Sequence, residues 1–298
     1  MLTFLPVFIR LPLALLFVVL NVLAHASVLL VLAAIKALVP MRGFRLAISR
    51  VLVVIAEQWI AVNGALFALF TRTRWRVDGL ECLNRGGWYL VLSNHQSWVD
   101  IVVLQKIFNR RIPFLKFFLK QQLLWVPVLG LAWWALDFPF MRRYSKEQLE
   151  QHPEWRGKDK QATRKACERF RHLPVSVMNF VEGTRFTPAK HAKQESPYAS
   201  LLRPRAGGTA FVLETMGDML QSIIDVTIVY PNGQPTLIDL LANRISDIRV
   251  HVQQLPIPRE FVGRDYENDA EFRSRFQHWM SELWAEKDAL IGRMRAAD

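Results

Sequence analysis

"WYLVLSNHQSWVD", residues Trp88 to Asp100, carries the pattern that decides the fold: an apolar run that ends abruptly in polar residues. Trp88–Leu92 predicts a short strand, and Val175–Phe180 and Ile223–Tyr230 predict two more, the last two nearly continuous enough in apolar residues to be buried on both faces. Helical stretches separate them, including the charged residues 145–172. This alternation predicts an α/β fold with a mostly parallel central sheet flanked by helices.

The first 70 residues differ in character from the rest. Leu11–Ile35 is apolar enough and long enough for a bilayer helix. Leu46–Phe70 is also apolar but contains charged residues, which are costly at the centre of a spanning helix. We therefore predict a membrane helical hairpin over residues 1–70, its second helix oblique or interfacial, followed by an α/β domain over 71–298. The alternative is a pair of buried core helices in a soluble protein.

Five basic residues lie in the loop of this hairpin and just after it: Arg42, Arg45, Arg72, Arg74 and Arg76. The positive-inside rule therefore predicts an inner (cytoplasmic) membrane location with the α/β domain facing the cytoplasm. The net charge of +12 admits nucleic acid, anionic lipid or an acidic carrier protein as partner. Cys82 and Cys167 show neither CxxC spacing nor a neighbouring His cluster, so neither a metal site nor a disulfide framework is predicted.

Residues 266–298 predict a C-terminal amphipathic helix, and residues 189–200 a surface loop.

His95 and Asp100 are five residues apart in the opening stretch. If a helix begins after Ser97, their side chains converge across its first turn. A carboxylate bonded to one imidazole nitrogen fixes the tautomer and leaves the other nitrogen free as a base. The alternative is a core histidine with a helix-capping aspartate.

A second polar cluster, in "FVEGTRFTP" (Phe180–Pro188), follows the strand predicted at Val175–Phe180. Ligands of α/β sheets bind at the carboxyl ends of the strands. Gly183 permits a tight turn, Arg185 offers a planar guanidinium for phosphate or carboxylate, and Glu182 can hold that guanidinium or accept from a hydroxyl. A strand-end turn with a surface ion pair is the alternative.

Taken together, these blocks resemble the glycerolipid acyltransferase family, which includes 1-acylglycerol-3-phosphate acyltransferase. The match covers roughly residues 77–231, in the order Asn94-His95 with Asp100, then "FLKFFLK" (Lys116 and Lys120) and "FPFMRR", then Glu182–Arg185, then "VTIVYP" ending at Pro231. The stretches "EGTRFTPAKH" and "LLRPRAGGTAF" resemble the branch that contains lysocardiolipin acyltransferase.

The resemblance implies that a fatty acyl group moves from acyl-CoA or acyl-acyl carrier protein to the sn-2 hydroxyl of lysophosphatidic acid or a related lysophospholipid. His95 would be the base and Asp100 its orienter. No covalent acyl-enzyme is implied, which agrees with the lack of a GxSxG elbow. Backbone N–H groups near the helix start would stabilise the oxyanion. Neither a cofactor nor a metal is expected.

The resemblance also implies a substrate-binding set made of Glu182, Gly183, Thr184, Arg185, Lys116 and Lys120. Arg142, Arg143 and Arg205 would add to the basic wall, for which a solvated basic face is the alternative reading. Anionic membrane lipids are the further partner. Two other functions stay open: acylation of a different acceptor lipid, and a membrane-tethered nucleic-acid-binding protein. We expect no nucleic acid partner, since no recognisable RNA or DNA module and no basic-aromatic stripe are present.

Overall fold

The structure is a computed structural model that describes residues 2–141, 170 and 173–297. Arg142, Arg143, Cys167 and most of the helix predicted over residues 145–172 lie outside the described residues. The described α-helices are α1 (Val7–Leu38), α2 (Arg42–Phe70), α3 (Val99–Phe108), α4 (Leu129–Ala135), α5 (Pro188–Gln194), α6 (Ala206–Met216), α7 (Leu237–Leu241) and α8 (Ala270–Ala296). The described strands are β1 (Arg74–Asp78), β2 (Tyr89–Ser93), β3 (Leu115–Phe117), β4 (Leu119–Lys120), β5 (Phe140–Met141), β6 (Ser176–Phe180), β7 (Ser222–Val229) and β8 (Asp247–Leu255).

Six of these strands form one sheet in the order β1-β8-β7-β2-β6-β3. Each neighbouring pair is parallel except β7 and β8, which are antiparallel. The predicted α/β class with a mostly parallel sheet is therefore confirmed, and the three predicted strands are β2, β6 and β7. Every residue of β2 and β7 is buried, because helices cover both faces of the sheet at its centre.

The two faces of the sheet are covered by different helices. Helices α6 and α8 pack on one face, around Leu213, Phe276 and Trp284. Helices α1, α2, α3 and α7 contribute to the cluster on the other face, with Phe70 of α2 and Val103 of α3 among its members. The predicted helical hairpin is thus present, and part of it packs directly on the sheet.

Three polar contacts fasten the hairpin lengthwise against the α/β domain. Arg10, near the start of α1, donates to the carbonyl oxygen of Ala242 at 2.8 Å. Lys36, near the end of α1, forms a 2.7 Å ion pair with Asp137. Glu57 in the middle of α2 accepts from Arg85 at 2.8 and 2.7 Å. Lys36 and Glu57 are therefore neutralised by charged partners in the α/β domain, and Arg10 is hydrogen-bonded to its backbone.

The predicted surface loop over residues 189–200 is partly helical. Helix α5 begins there because Thr187 caps it, accepting from the backbone N–H of Lys190 at 3.2 Å, and because Pro188 occupies a first-turn position that needs no N–H donor. The predicted C-terminal helix is confirmed as α8, which Asp269 caps by accepting from Phe272 N at 2.9 Å.

Helix α8 carries a lysine into the core. Lys287 Nζ is fully buried and donates to Asp225 Oδ2 at 2.9 Å, to the Val226 carbonyl at 2.8 Å and to Thr227 Oγ1 at 3.0 Å. Burial lowers the pKa of Lys287, and the Asp225 carboxylate opposes that shift. The three acceptors lie on β7, so this ammonium group joins the C-terminal helix to the sheet.

Because the partner of a buried charge is left unpaired when one member is removed, Lys287→Met should lower the free energy of unfolding by about 3–5 kcal/mol. The double variant Lys287→Met/Asp225→Asn should recover much of that loss, since no buried charge remains. Chemical denaturation of detergent-solubilised protein measures both values. Glu286→Gln, at the exposed neighbouring position, is the matched control and should stay within about 0.5 kcal/mol of wild type. A Lys287→Met protein as stable as wild type would contradict a structural role for the pair.

Candidate active site

The site begins where β2 ends at the centre of the sheet. Ser93 at the end of β2 lies opposite Phe180 of β6 and Val226 of β7. The amide of Asn94 continues the ladder: its Nδ2 donates to the Ile228 carbonyl and its Oδ1 accepts from Ile228 N, both at 2.9 Å. This pairing holds the turn that delivers His95 at the carboxyl edge of the sheet.

His95 and Asp100 meet as the spacing predicts. Helix α3 begins at Val99, and Asp100 in its first turn has Oδ2 at 2.8 Å from His95 Nδ1. The imidazole also stacks on Phe180, with ring centres 3.8 Å apart and 13° between the planes. Since a carboxylate only accepts, Nδ1 carries the proton in this pair and Nε2 is left as the basic nitrogen.

The helix start holds the carboxylate as well as the imidazole. Asp100 Oδ2 also accepts from the backbone N–H of Gln96 at 2.6 Å and of Ser97 at 2.9 Å. Val99 N donates to Ser97 Oγ at 3.0 Å. These three N–H groups are already paired within the protein, so the predicted oxyanion donors near the helix start have to be sought among other N–H groups.

Tyr230, which was not among the residues predicted from the sequence, is the remaining hydrogen-bond donor to the Asp100 carboxylate. Its hydroxyl donates to Asp100 Oδ1 at 2.7 Å, and its side chain is buried. Burial raises the pKa of Tyr230 well above its usual value, and the Asp100 charge raises it further, so the hydroxyl remains a donor. Tyr230 stands just before Pro231 in the stretch "VTIVYP", and this position could have suggested a role at the site. The sequence does not reveal where its hydroxyl group points.

Glu182 lies beneath the site. Strand β6 runs parallel to β2 in matching register, so residues just past both strand ends meet at one edge. Glu182 Oε1 accepts from His95 N at 2.8 Å, and Oε2 accepts from Leu202 N at 2.9 Å. Burial raises the pKa of Glu182 to about 7, although those two hydrogen bonds lower it. The carboxyl group is fully buried and joins the His95 turn to the loop that leads into α6.

The next three residues of the block face outward. Gly183 has φ of +67°, a left-handed conformation that favours glycine, and a Cβ there would lie 2.9 Å from Arg205 Cδ. Thr184 Oγ1 accepts from Lys190 Nζ at 2.7 Å. Arg185 is exposed, and its guanidinium lies 4.6 Å from the centre of the Trp98 ring. This stacking leaves the edge donors of the guanidinium available to an anion.

These side chains border a cleft of about 680 Å³ at the carboxyl edge of the sheet. It brings together six of the predicted residues: His95, Lys120, Gly183, Thr184, Arg185 and Arg205. Gly207 and Gly208 at the start of α6 also line it. The cleft combines an imidazole base, cationic groups and apolar walls, which suits an amphipathic anionic ligand.

Three predicted residues are not among the described residues that line the cleft. Asp100 and Glu182 lie behind it, buried and bonded to the His95 turn. Lys116 lies on the edge strand β3, where its Nζ is 4.7 Å from the centre of the Phe170 ring. The site is therefore layered: exposed groups face the cleft, and buried groups hold them.

The chain is similar in sequence to known acyltransferases. The model of the Acyltransferase family matches residues 74–231, more than half of the chain. The 1-acyl-sn-glycerol-3-phosphate acyltransferase delta of Mus musculus is 25% identical over 256 residues, covering 81% of this chain and 60% of the relative. The 1-acyl-sn-glycerol-3-phosphate acyltransferase 2 of Brassica napus is 27% identical over 268 residues, covering 83% and 60%. The chain thus spans about 60% of the length of these curated relatives.

Among solved structures, the 1-acyl-sn-glycerophosphate (LPA) acyltransferase PlsC of Thermotoga maritima aligns with a TM-score of 0.48 and 16% identity, covering 91% of this chain and 96% of that one. The family match itself spans His95, Asp100, the Glu182–Arg185 block and Tyr230. The predicted resemblance to glycerolipid acyltransferases is confirmed, and the chain belongs to the Acyltransferase family.

Proposed function

We propose that this protein transfers a fatty acyl group from an acyl thioester to the sn-2 hydroxyl of lysophosphatidic acid or a related lysophospholipid. The observation that carries the proposal is the His95–Asp100 pair, 2.8 Å apart, at a cleft that also contains the exposed Arg185. A base and an anion-binding group at one cleft are what acylation of a phosphorylated alcohol needs. The names of the curated relatives support this acceptor.

In the proposed reaction, His95 Nε2 removes the proton from the acceptor hydroxyl as its oxygen attacks the thioester carbonyl carbon. The resulting tetrahedral intermediate collapses, the C–S bond breaks, and the departing thiolate takes the proton from the imidazolium. Asp100 stabilises that imidazolium through Nδ1–H and keeps Nε2 aimed at the substrate. The products are the diacylated lipid and the free thiol, so the enzyme returns to its starting state without a covalent acyl-enzyme.

The other residues divide between binding and positioning. We propose that Arg185 and Lys120 bind the acceptor phosphate, since both are exposed and line the cleft. Gly183 and Thr184 shape the turn that presents Arg185. Glu182, which the sequence predicts as a substrate ligand, instead holds the His95 backbone in this proposal by accepting from its N–H group. We propose that Lys116, on the edge strand β3, extends the basic wall to a part of the donor or acceptor that lies outside the cleft.

We also propose that residues 1–70 form the membrane anchor and residues 71–298 the catalytic domain, at the cytoplasmic face of the inner membrane. Helices α1 and α2 are long and apolar enough to cross a membrane, and only 17% and 28% of their most apolar stretches are buried. Their lengthwise fastening by Arg10, Lys36 and Glu57 favours a hairpin that lies along one leaflet. Acyl-CoA and acyl-acyl carrier protein both fit the +12 charge as acidic donors.

Mass spectrometry of the lipid products tests the proposed reaction. Purified protein is incubated with mixed lysolipids and, in separate reactions, with acyl-CoA and acyl-acyl carrier protein. We expect a phosphatidic acid that carries the donor's acyl chain at sn-2. His95→Ala should lower the rate about 10²- to 10⁴-fold while leaving lysolipid binding nearly unchanged, because the base acts mainly in the transition state.

Asp100→Asn should also lose turnover, since the favoured imidazole tautomer is no longer fixed. Circular dichroism of each variant establishes that it is folded. A folded His95→Ala protein with near-normal turnover would contradict the mechanism. A product acylated on another headgroup would keep the mechanism and change the acceptor.

Arg185→Ala should raise the KM for the acceptor by about 10- to 100-fold, the range expected for a lost charge-assisted hydrogen bond to phosphate. Arg185→Lys should restore only part of the affinity, because a point charge does not reproduce a planar, two-point contact. Steady-state kinetics with the acceptor varied gives both values. Arg203→Ala is a suitable control, since Arg203 is exposed nearby but donates to the backbone at Gln194 and Glu195. Unchanged KM and turnover in Arg185→Ala would return Arg185 to a solvated surface role.

Tyr230→Phe should lower kcat with little change in the acceptor KM, because the hydroxyl positions Asp100 without lining the cleft. Without this donor the carboxylate loses one of the four hydrogen bonds that hold it in place, so it orients the imidazole less well. Tyr89→Phe is the matched control, since Tyr89 is equally buried but its hydroxyl accepts from Asn84 N at 3.4 Å. A Tyr230→Phe protein with the wild-type kcat, or with a raised acceptor KM and unchanged kcat, would exclude the positioning role.

A further inference from the structure

The outward side of α1 is apolar along most of its length. Seven of its large side chains are between 50% and 81% exposed: Phe8, Leu16, Val19, Leu20, Val28, Val31 and Leu38. Arg10 and Lys36, which hold α1 against the α/β domain, are roughly seven turns apart, about 39 Å at ~1.5 Å per residue. The exposed side of α1 therefore forms a long apolar ridge on the surface of the molecule.

A second exposed apolar group belongs to the α/β domain. Trp125 is 82% exposed, and Leu131 and Trp134 on α4 are each 52% exposed. We call these three side chains the tryptophan patch. Exposed tryptophans grouped with a leucine are typical of surfaces that meet a membrane or another protein.

The patch is attached to the hairpin by the core beneath it. Ala135 and Leu136, at the end of α4, are buried in one cluster with Leu29 and Ala33 of α1. The ion pair between Lys36 and Asp137 joins the same two parts of the chain at 2.7 Å. Helix α4, which carries Leu131 and Trp134, is therefore packed directly against the carboxyl-terminal half of α1.

The charge at this end of the hairpin indicates which partner the surface meets. Arg42, Arg45 and Arg50 are exposed on the first third of α2, which follows the turn between the two helices. Within the part of the chain that the structure describes, none of the three has an ion-pair partner. Exposed arginines beside exposed apolar side chains match a layer that is anionic at its surface and apolar below, as an anionic phospholipid leaflet is.

We propose that the tryptophan patch inserts into the same anionic phospholipid leaflet as α1 and is a second membrane contact, contributed by the α/β domain itself. The inference rests on the proposed membrane anchoring of residues 1–70 and extends it. Phe117–Lys120 line the cleft, and the chain continues from them directly into the short 3₁₀ helix Gln121–Trp125. Insertion of the patch places this wall of the cleft at the leaflet, so a lysolipid reaches His95 without leaving the interface.

Site-directed spin labelling tests the insertion. Single cysteines are introduced at position 125, at position 19 on the apolar ridge, and at position 278 on α8, which covers the opposite face of the sheet. The background carries Cys82→Ser and Cys167→Ser. Each labelled full-length protein is bound to vesicles of phosphatidylglycerol and phosphatidylethanolamine, and collision with oxygen and with a water-soluble nickel complex is measured by power saturation.

We expect labels at 19 and 125 to collide with oxygen and to be shielded from the nickel complex, and the label at 278 to behave in the opposite way. A label at 19 in lipid with a label at 125 in water would overturn the inference and leave the hairpin anchor intact. Labels at 19 and 125 both in water, on a folded protein, would overturn the proposed anchor and the inference with it.

A kinetic comparison provides a second measurement in case labelling at 125 perturbs the protein. Trp125→Ser/Trp134→Ser should lower the rate on a long-chain lysolipid embedded in vesicles by at least about fivefold. The rate on a short-chain, water-soluble lysophosphatidic acid should be unchanged, since neither tryptophan lines the cleft among the described residues. An equal loss on both substrates, or no loss on either, would contradict the proposal.

Discussion

The carboxylate of Asp100 is the group on which the arrangement of the site depends. It is fully buried, and such a charge is stable only when donors surround it. His95 Nδ1, Gln96 N and Ser97 N meet one oxygen, and the Tyr230 hydroxyl meets the other. These donors come from the turn after β2 and from the residue that follows β7, and Asp100 itself lies in the first turn of α3. The imidazole is therefore oriented by a charge that holds three parts of the chain together.

The Glu182 carboxyl group performs a related task for the backbone. It accepts from the N–H of His95 and of Leu202, and it binds through both oxygens. The Phe186 N–H donates to the His95 carbonyl at 2.7 Å, so the same loop holds both polar groups of the His95 backbone. The block that presents Arg185 to the cleft thus also fixes the residue proposed as base. This short loop therefore connects the proposed phosphate ligand Arg185 to the proposed base His95.

The sheet separates two environments. The face that carries α8 is closed by a conventional core, with Lys287 bonded to β7 inside it. The opposite face carries the hairpin, whose outer side remains apolar and exposed. The cleft opens at the sheet edge between these layers. An enzyme whose acceptor is a lipid and whose donor is soluble needs access from both environments, and the proposed orientation supplies it.

Much of this could be predicted from the sequence, because the relevant signals are local. The strands at the centre of the sheet follow from continuous apolar runs, the hairpin from its length and composition, and the convergence of His95 with Asp100 from a five-residue spacing at a helix start. The segment predicted as a surface loop, residues 189–200, is partly helical in the structure. A threonine cap and a proline in the first turn stabilise this short helix in a polar sequence.

The remaining features were decided only by the tertiary structure. Tyr230 reaches Asp100 from 130 residues away, Lys287 reaches Asp225 from 62, and Lys36 reaches Asp137 from 101. No spacing rule connects such pairs, because their meeting depends on strand order and on how the helices pack against the sheet. The sequence likewise predicted Glu182 at the end of a strand, where a side chain can either contact a ligand or hold the backbone. Only its burial beneath His95 shows that it holds the backbone. The sequence by itself determined which residues are candidates for the chemistry and which segment is apolar enough for a membrane. The packing of distant elements decided which of those residues face the cleft, since exposure is a property of the folded chain.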